Sequence, residues 1–152
     1  MLWAISHKTA AEIVFERSNP NLPTMGLNSF EGNKVRKQDV TIAKNYLNQK
    51  ELDDLNEIVV MYLDYAEAQA RKRKTMSMHE WDEKLDAFLT FNEKDLLNHA
   101  GKVSAHVAEK LALERYSEFS RKQRLEERER ADAEDLILLE ELRKSALLIE
   151  GK

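Results

Sequence analysis

Apolar positions along this chain follow a helical period, and the clearest stretch predicts one long helix at about residues 49–72. Its apolar side chains recur three and four residues apart: Leu52, Leu55, Ile58, Val59, Met61, Tyr62, Tyr65 and Ala66. Asn48 precedes Glu51 by three residues, which is the spacing of a capping box and predicts where this helix begins. Because the apolar stripe is wide, we expect other helices to pack on more than one of its sides.

Further capping signals predict helices before and after the central one. Two capping-box pairs and one single cap are present: Thr9 with Glu12, Ser77 with Glu80, and Ser104. The first helix should end near Arg17, and the second should end near Phe91 and pack on the central helix. We also expect a short helix after Asp39, a short turn after Asn92 and a left-handed corner at Gly101.

One long loop signal covers residues 18–36, which hold both prolines and two of the four glycines. Its apolar side chains have no evident partner in the sequence pattern: Leu22, Met25, Leu27 and Phe30. We therefore predict that the loop is an interaction surface. The alternative is a bundle that is satisfied within one chain, in which these side chains are ordinary core.

The last part of the chain changes from a charged segment to a leucine-rich one. Residues 120–135 predict a solvated helix, and Asp132–Asp135 can mark a fresh helix start before the leucines. We divide the chain into a helical domain at residues 1–130 and a leucine-rich helix at residues 131–152. That helix should either pack back or self-associate. Its predicted contact residues are Leu136, Leu139, Leu142 and Ile149.

Composition favours an all-α helical bundle built around the helix at residues 49–72. Four glycines and two prolines in 152 residues are too few for the many turns of an all-β domain. The absence of cysteine excludes disulfides and thiolate chemistry and favours a reducing compartment, so we expect a cytoplasmic protein. No apolar run approaches the ~20 residues that cross a bilayer, so we expect no membrane partner.

The net charge of −4 removes a general attraction to nucleic acid, but two basic clusters remain. They are Lys34, Arg36 and Lys37, and then Arg71, Lys72, Arg73 and Lys74. Cations at a helix C-terminus interact favourably with the helix dipole, which accounts for the second cluster without a partner. Anion or nucleic-acid binding by the two clusters is kept as an alternative.

No catalytic or metal-binding constellation emerges from the residue spacings. His79 and Glu83 share a helix face, but two ordinary first-turn surface residues explain the pair. Gly101 and Lys102 lack the flanking residues of a phosphate-binding loop. We predict no catalytic residue, no metal and no cofactor. The expected partner is another protein or a second copy of the chain.

Several stretches resemble the C-terminal half of the RhuM family of virulence-associated bacterial proteins, over roughly residues 2–120. They are LWAISHKTAAE at 2–12, KVRKQDVTIAKNYL at 34–47, MYLDYA at 61–66, and WDEKLDAFLTFN at 81–92 followed by AGKVS. Such proteins carry an upstream segment that looks like a phage-type, winged-helix-like DNA-binding region, which this sequence does not contain. The family has no established biochemical activity, so the resemblance implies a context rather than a mechanism. The segment after residue 130 matches the family pattern less well.

The same resemblance brings in an enzymatic alternative, because family members are often labelled together with Fic and Doc proteins. The residues that echo the second half of the Fic motif are Phe30, Glu31, Gly32, Asn33, Lys34 and Arg36. Asn28 stands where the catalytic histidine should be, so this site has no general base to accept a proton. The prediction is a non-enzymatic interaction or oligomerisation module. A nucleic-acid-associated regulator and a degenerate Fic-type nucleotidyl transferase are its alternatives.

Overall fold

A computed structural model describes residues 1–151, and these contain five α-helices, one 3-10 helix and no β-strand. The elements in chain order are α1 (Leu2–Ser6), α2 (Ala10–Arg17), the 3-10 helix (Ala43–Tyr46), α3 (Gln49–Arg71), α4 (Met78–Phe91) and α5 (Ala105–Glu150). The predicted all-α class and the long helix at residues 49–72 are confirmed.

The chain divides into two compact units, Met1–Tyr116 and Ser117–Lys152, and the boundary falls inside α5. The first unit contains α1–α4, the 3-10 helix and the first turns of α5. The second unit is made of the remaining turns of α5. The division at residue 130, which rests on composition, stays a prediction.

Three capping boxes set the starts of α2, α3 and α4, as the sequence predicts. In each, the cap side chain accepts a hydrogen bond from the backbone N–H three residues on, and the glutamate there accepts one from the cap N–H. The pairs are Thr9 with Glu12, Asn48 with Glu51, and Ser77 with Glu80. Each cap residue contributes about 1 kcal/mol of helix stability.

Helix α4 packs on α3, which confirms the predicted contact. The Tyr62 hydroxyl donates to the Trp81 carbonyl at 2.8 Å, and its ring centroid lies 5.6 Å from that of Phe88. Ile58 and Leu89 are buried in the same cluster as Ala4, which belongs to α1. The sequence pattern contains no signal for α1, because five residues are too few to show a helical period.

A second group of buried side chains lies around α2, the 3-10 helix and the loop between them. It comprises Ile13, Val14, Met25, Leu27, Val40, Ala43, Tyr46 and Leu47. The Tyr46 hydroxyl donates to the Val40 carbonyl at 2.6 Å, and burial raises the pKa of this phenol. At the start of α3, Arg17 forms two hydrogen bonds to the Glu51 carboxylate, at 2.6 and 2.8 Å. That pairing raises the pKa of Arg17 and lowers the pKa of Glu51.

Three of the predicted starts of helices or turns are wrong, those at Asp39, at Asn92 and at residues 132–135. The Asp39 carboxylate accepts from the Arg36 N–H at 2.8 Å and closes a turn, so the chain forms only the 3-10 helix that begins at Ala43. Asn92 ends α4 by donating its side-chain amide to the Phe88 carbonyl at 2.8 Å, and no turn follows at Leu96 and Leu97.

The third wrong start is the one at residues 132–135, because α5 continues through this stretch without a break. Ala133 and Glu134 are strong helix formers and carry the helix past Asp132 and Asp135. The corner before α5 is confirmed. Gly101 has φ +83°, and the Ser104 hydroxyl accepts from the Val107 N–H at 3.2 Å.

No helix within residues 1–151 combines the length and the apolar character needed to cross a membrane.

Candidate interaction surfaces

The loop at residues 18–36 is held against the 3-10 helix by hydrogen bonds. The backbone N–H groups of Asn28 and Ser29 donate to the Asn45 carbonyl at 2.7 and 3.2 Å. The Asn28 side-chain amide donates to the Leu47 carbonyl at 3.1 Å. These bonds fix a segment that has no regular secondary structure of its own.

The structure separates the four apolar side chains of this loop into two kinds. Met25 and Leu27 are fully buried among the core residues around the 3-10 helix, which is the arrangement expected of a bundle satisfied within one chain. Leu22 is 44% exposed and Phe30 is half-buried. Only Leu22 and Phe30 therefore present apolar surface that another molecule could contact.

The residues that echo the Fic motif lie on the same loop, and two of them contact each other. The Arg36 guanidinium donates to the Glu31 carbonyl at 3.2 Å and lies 3.7 Å from its carboxylate. Gly32 has φ +80° at the turn between them. Asn28, at the position of the missing histidine, uses its side-chain amide to bind Leu47 as described above. Each of these four residues, Asn28, Glu31, Gly32 and Arg36, therefore has a role in the fold of the loop.

The two basic clusters lie at opposite ends of α3. Residues 34–37 lie beside the 3-10 helix, because Asp39 connects the two. Its carboxylate accepts a hydrogen bond from the Arg36 N–H, and its backbone carbonyl accepts one from the Asn45 side-chain amide at 3.0 Å. The 3-10 helix leads directly into the N-terminus of α3, whereas residues 71–74 form its C-terminal end. A helix of 23 residues is about 34 Å long, so the clusters do not form one patch.

The cluster at residues 71–74 also serves the end of α3. Arg73 adopts φ +54°, and the N–H groups of Arg73 and Lys74 donate to the carbonyls of Ala70 and Gln69 at 2.9 and 3.2 Å. Arg71 lies 3.3 Å from Glu67 on the preceding turn. The dipole of α3 stabilises positive charge here, as the position of this cluster in the sequence predicts.

The leucine-rich end of α5 is exposed along its whole length. Eight large apolar side chains are 55–76% exposed: Leu136, Ile137, Leu138, Leu139, Leu142, Leu147, Leu148 and Ile149. The four predicted contact residues at positions 136, 139, 142 and 149 belong to this set. We call residues 136–149 the leucine-rich segment.

A junction that no local sequence pattern predicts joins α2 to the corner before α5. Glu12 is only 6% exposed, and its carboxylate accepts from the Thr9 N–H at 2.9 Å and from the Lys102 N–H at 2.7 Å. The hydrogen bond from Lys102, followed by that from Thr9, lowers the pKa of Glu12. Trp3 packs edge-on against His99 nearby, with ring centroids 4.7 Å apart. The capping box predicts the first bond but contains no signal for the second.

Arg115 fastens the first turns of α5 to the end of α2. Its guanidinium donates to the carbonyls of Phe15 and Ser18 at 2.6 and 2.7 Å and to the Ser18 hydroxyl at 2.7 Å. The same group lies 5.8 Å from the centre of the Phe15 ring. These bonds explain why a charged residue belongs on the inner side of α5.

One open cleft of about 380 Å³ lies in the first unit, beside α1 and α4. It is lined by Met1, Leu2, Trp3, Ala4, Thr9, Ala10, Leu85, Asp86, Leu89, Asp95, Leu96 and Leu97. Its walls are mainly apolar, with two aspartates. Residues 1–151 bring no three histidine, aspartate or glutamate side chains together as ligands for a metal ion. His79 lies 3.2 Å from Glu83, as their helical spacing predicts.

The comparisons with known proteins give one match. A sequence model of the virulence protein RhuM family matches residues 1–127. No curated protein and no solved structure matches the chain. The match covers most of the 152 residues and includes α1–α4 and the first half of α5. The chain therefore belongs to the virulence protein RhuM family.

Proposed function

We propose that this chain is a self-associating helical module, in which the leucine-rich segment binds a second copy of the same chain. The observation that carries the proposal is the exposure of eight large apolar side chains within 14 consecutive positions of one helix. Isolated exposed leucines are common on proteins, but so many large apolar side chains exposed close together on one helix mark an interaction site.

The energetics of burial support this role. Covering an exposed leucine or isoleucine contributes about 1.5–3 kcal/mol. Leu138, Leu142 and Ile149 share one stripe of the helix, and these three side chains on both copies together contribute about 9–18 kcal/mol, which is enough to offset an association cost of about 4–15 kcal/mol. The first unit supplies a folded body with its own buried core, so the leucine-rich segment is available for contact with another chain.

The test is a pair of matched substitutions measured by light scattering over a concentration series. Leu142→Gln changes a side chain of the leucine-rich segment that is 57% exposed, and Leu63→Gln changes one on α3 that is 60% exposed. Each dimer would lose two leucine contacts at position 142. We therefore expect the dissociation constant to rise at least about 100-fold for Leu142→Gln.

The control variant Leu63→Gln should leave the dissociation constant unchanged. A monomeric full-length chain at all concentrations would reject self-association. An assembly weakened by Leu63→Gln and not by Leu142→Gln would place the contact on α3 instead.

A further inference from the structure

Most of the side chains that line the cleft beside α1 and α4 are apolar. Trp3 of α1 is half-buried there, Leu89 of α4 is only 4% exposed, and Leu85 packs against the same core. Leu96 and Leu97 line the cleft from the segment after α4 and are 39% and 46% exposed. Apolar side chains from separate parts of the chain therefore surround one open space.

The size of the cleft suits a small molecule. Ligand sites in proteins are typically clefts of about 300–1,000 Å³, with mainly apolar linings and a few polar groups that orient the ligand. The cleft of about 380 Å³ lies at the lower end of this range. An α-helix with its side chains is about 10–12 Å in diameter, so even 10 Å of helix occupies about 800 Å³. The volume therefore favours a small molecule over a helix of a partner protein.

The charged side chains that line the cleft are both acidic. They are Asp86 of α4 and Asp95 of the segment that follows, and no basic side chain of residues 1–151 lines the cleft beside them. Met1 contributes its terminal ammonium, which leaves an excess of negative charge. The Asp86 carboxylate has no ion pair or hydrogen bond within the described residues, and the Asp95 carboxylate lies 3.5 Å from His7 Nδ1, which is charged only when protonated.

We propose that the cleft binds a small organic cation, whose apolar body lies against the leucines and whose ammonium group is attracted by Asp86 and Asp95. Burial of the apolar body supplies affinity for any ligand of this shape. The two carboxylates supply selectivity, because they attract a cation and repel an anion. The site lies wholly in the first unit and goes beyond the proposed function, which concerns the leucine-rich segment.

Three probes that share one alkyl chain and differ in their head group test the proposal on the full-length chain: octylammonium, octanol and octanoate. They bury the same apolar surface, so their affinities differ through charge. We expect octylammonium to bind about tenfold more tightly than octanoate at low salt, with octanol between them. Titrations followed by the NMR shifts of the backbone amides of α1, Leu96 and Leu97 measure the dissociation constants at this cleft.

Two charge variants separate the cleft from the overall charge of the protein. Asp86→Asn with Asp95→Asn removes both carboxylates that line the cleft. Asp82→Asn with Glu93→Gln removes one exposed carboxylate on α4 and one just after it, and neither residue lines the cleft. Both variants change the net charge by the same amount. We expect the first to remove the preference for octylammonium over octanoate and the second to keep it.

Several outcomes would overturn the proposal. They are equal binding of the three probes, a preference for octylammonium that survives the loss of both cleft carboxylates, and no shift at the cleft with octylammonium. A shift with a peptide of alternating leucine and lysine, but none with octylammonium, would assign the cleft to a protein partner instead. Each result is independent of self-association, because a monomeric chain keeps the first unit and its cleft.

Discussion

At the scale of single residues, Glu12 links two segments that lie far apart in sequence. One carboxylate completes the cap of α2 and also accepts the N–H of Lys102, at the corner that precedes α5. Hydrogen bonds to the ionised carboxylate favour it over the protonated form, which is why the pKa of Glu12 is lowered. Its stabilising effect is therefore fully present above the unfolded value of about 4.5 and is lost as the pH falls through the folded pKa.

Glu12→Gln tests this link against Glu80→Gln, which removes a capping-box glutamate that accepts only from Ser77. We expect Glu12→Gln to lower the free energy of unfolding more than Glu80→Gln at pH 7, because it also weakens the bond to Lys102. The gap between wild type and Glu12→Gln should shrink as the pH falls below 4.5. Urea unfolding at pH 7 and pH 3 measures both effects, and equal losses in the two variants would contradict the role of Lys102.

At the scale of elements, the loop at residues 18–36 depends on one close backbone approach. A Cβ at Gly26 would lie 2.2 Å from the carbonyl oxygen of Arg17, and the glycine has φ +87°. Gly32 has a similar φ of +80°, but the nearest atom to its Cβ would be 3.9 Å away, at the end of the Arg36 side chain. The two glycines therefore share a backbone conformation and differ in the space around them.

Alanine at each glycine separates these two effects. Gly32→Ala should cost about 1 kcal/mol, from the left-handed conformation alone. Gly26→Ala should cost a further ~1–3 kcal/mol, because a backbone carbonyl cannot move aside as a side chain can. Chemical denaturation of both variants measures the difference. Equal costs would show that the approach to Arg17 relaxes freely.

Sequence reasoning works best at this scale where the signal is local. The capping boxes at Thr9, Asn48 and Ser77 predict three helix starts correctly, because cap and partner are three residues apart. The contacts it missed join distant segments: Arg17 to Glu51, Arg115 to Ser18, and Glu12 to Lys102. Neither a helical period nor a cap spacing in a single sequence predicts such pairs.

The candidate surfaces also differ in whether a local pattern in the sequence predicts them. The leucine-rich segment is recognisable because its apolar residues follow one another along one helix. By contrast, the burial of Met25 and Leu27 depends on where the loop meets the 3-10 helix, and no local pattern records that contact. The cleft beside α1 also requires three separate parts of the chain to be placed first.

At the scale of the whole molecule, the part that resembles the family and the part proposed to associate occupy different ends of the chain. The family match ends at residue 127, and the buried side chains of the described residues lie at or before Phe119. Residues 124–151 are exposed throughout. Folding and association can therefore be tested separately on the same protein.

A chain ending at Arg130 should fold and lose the ability to associate. It keeps every buried side chain of the described residues, so its melting temperature at low concentration should lie within a few degrees of that of the full-length chain. The melting temperature of the full-length chain should rise with concentration, because association stabilises the folded form by mass action, whereas that of the shortened chain should not. Thermal melts and light scattering over the same concentrations measure both properties. A shortened chain that unfolds would show that the leucine-rich segment contributes to the core, and one that still associates would move the contact to the exposed apolar side chains of residues 1–130.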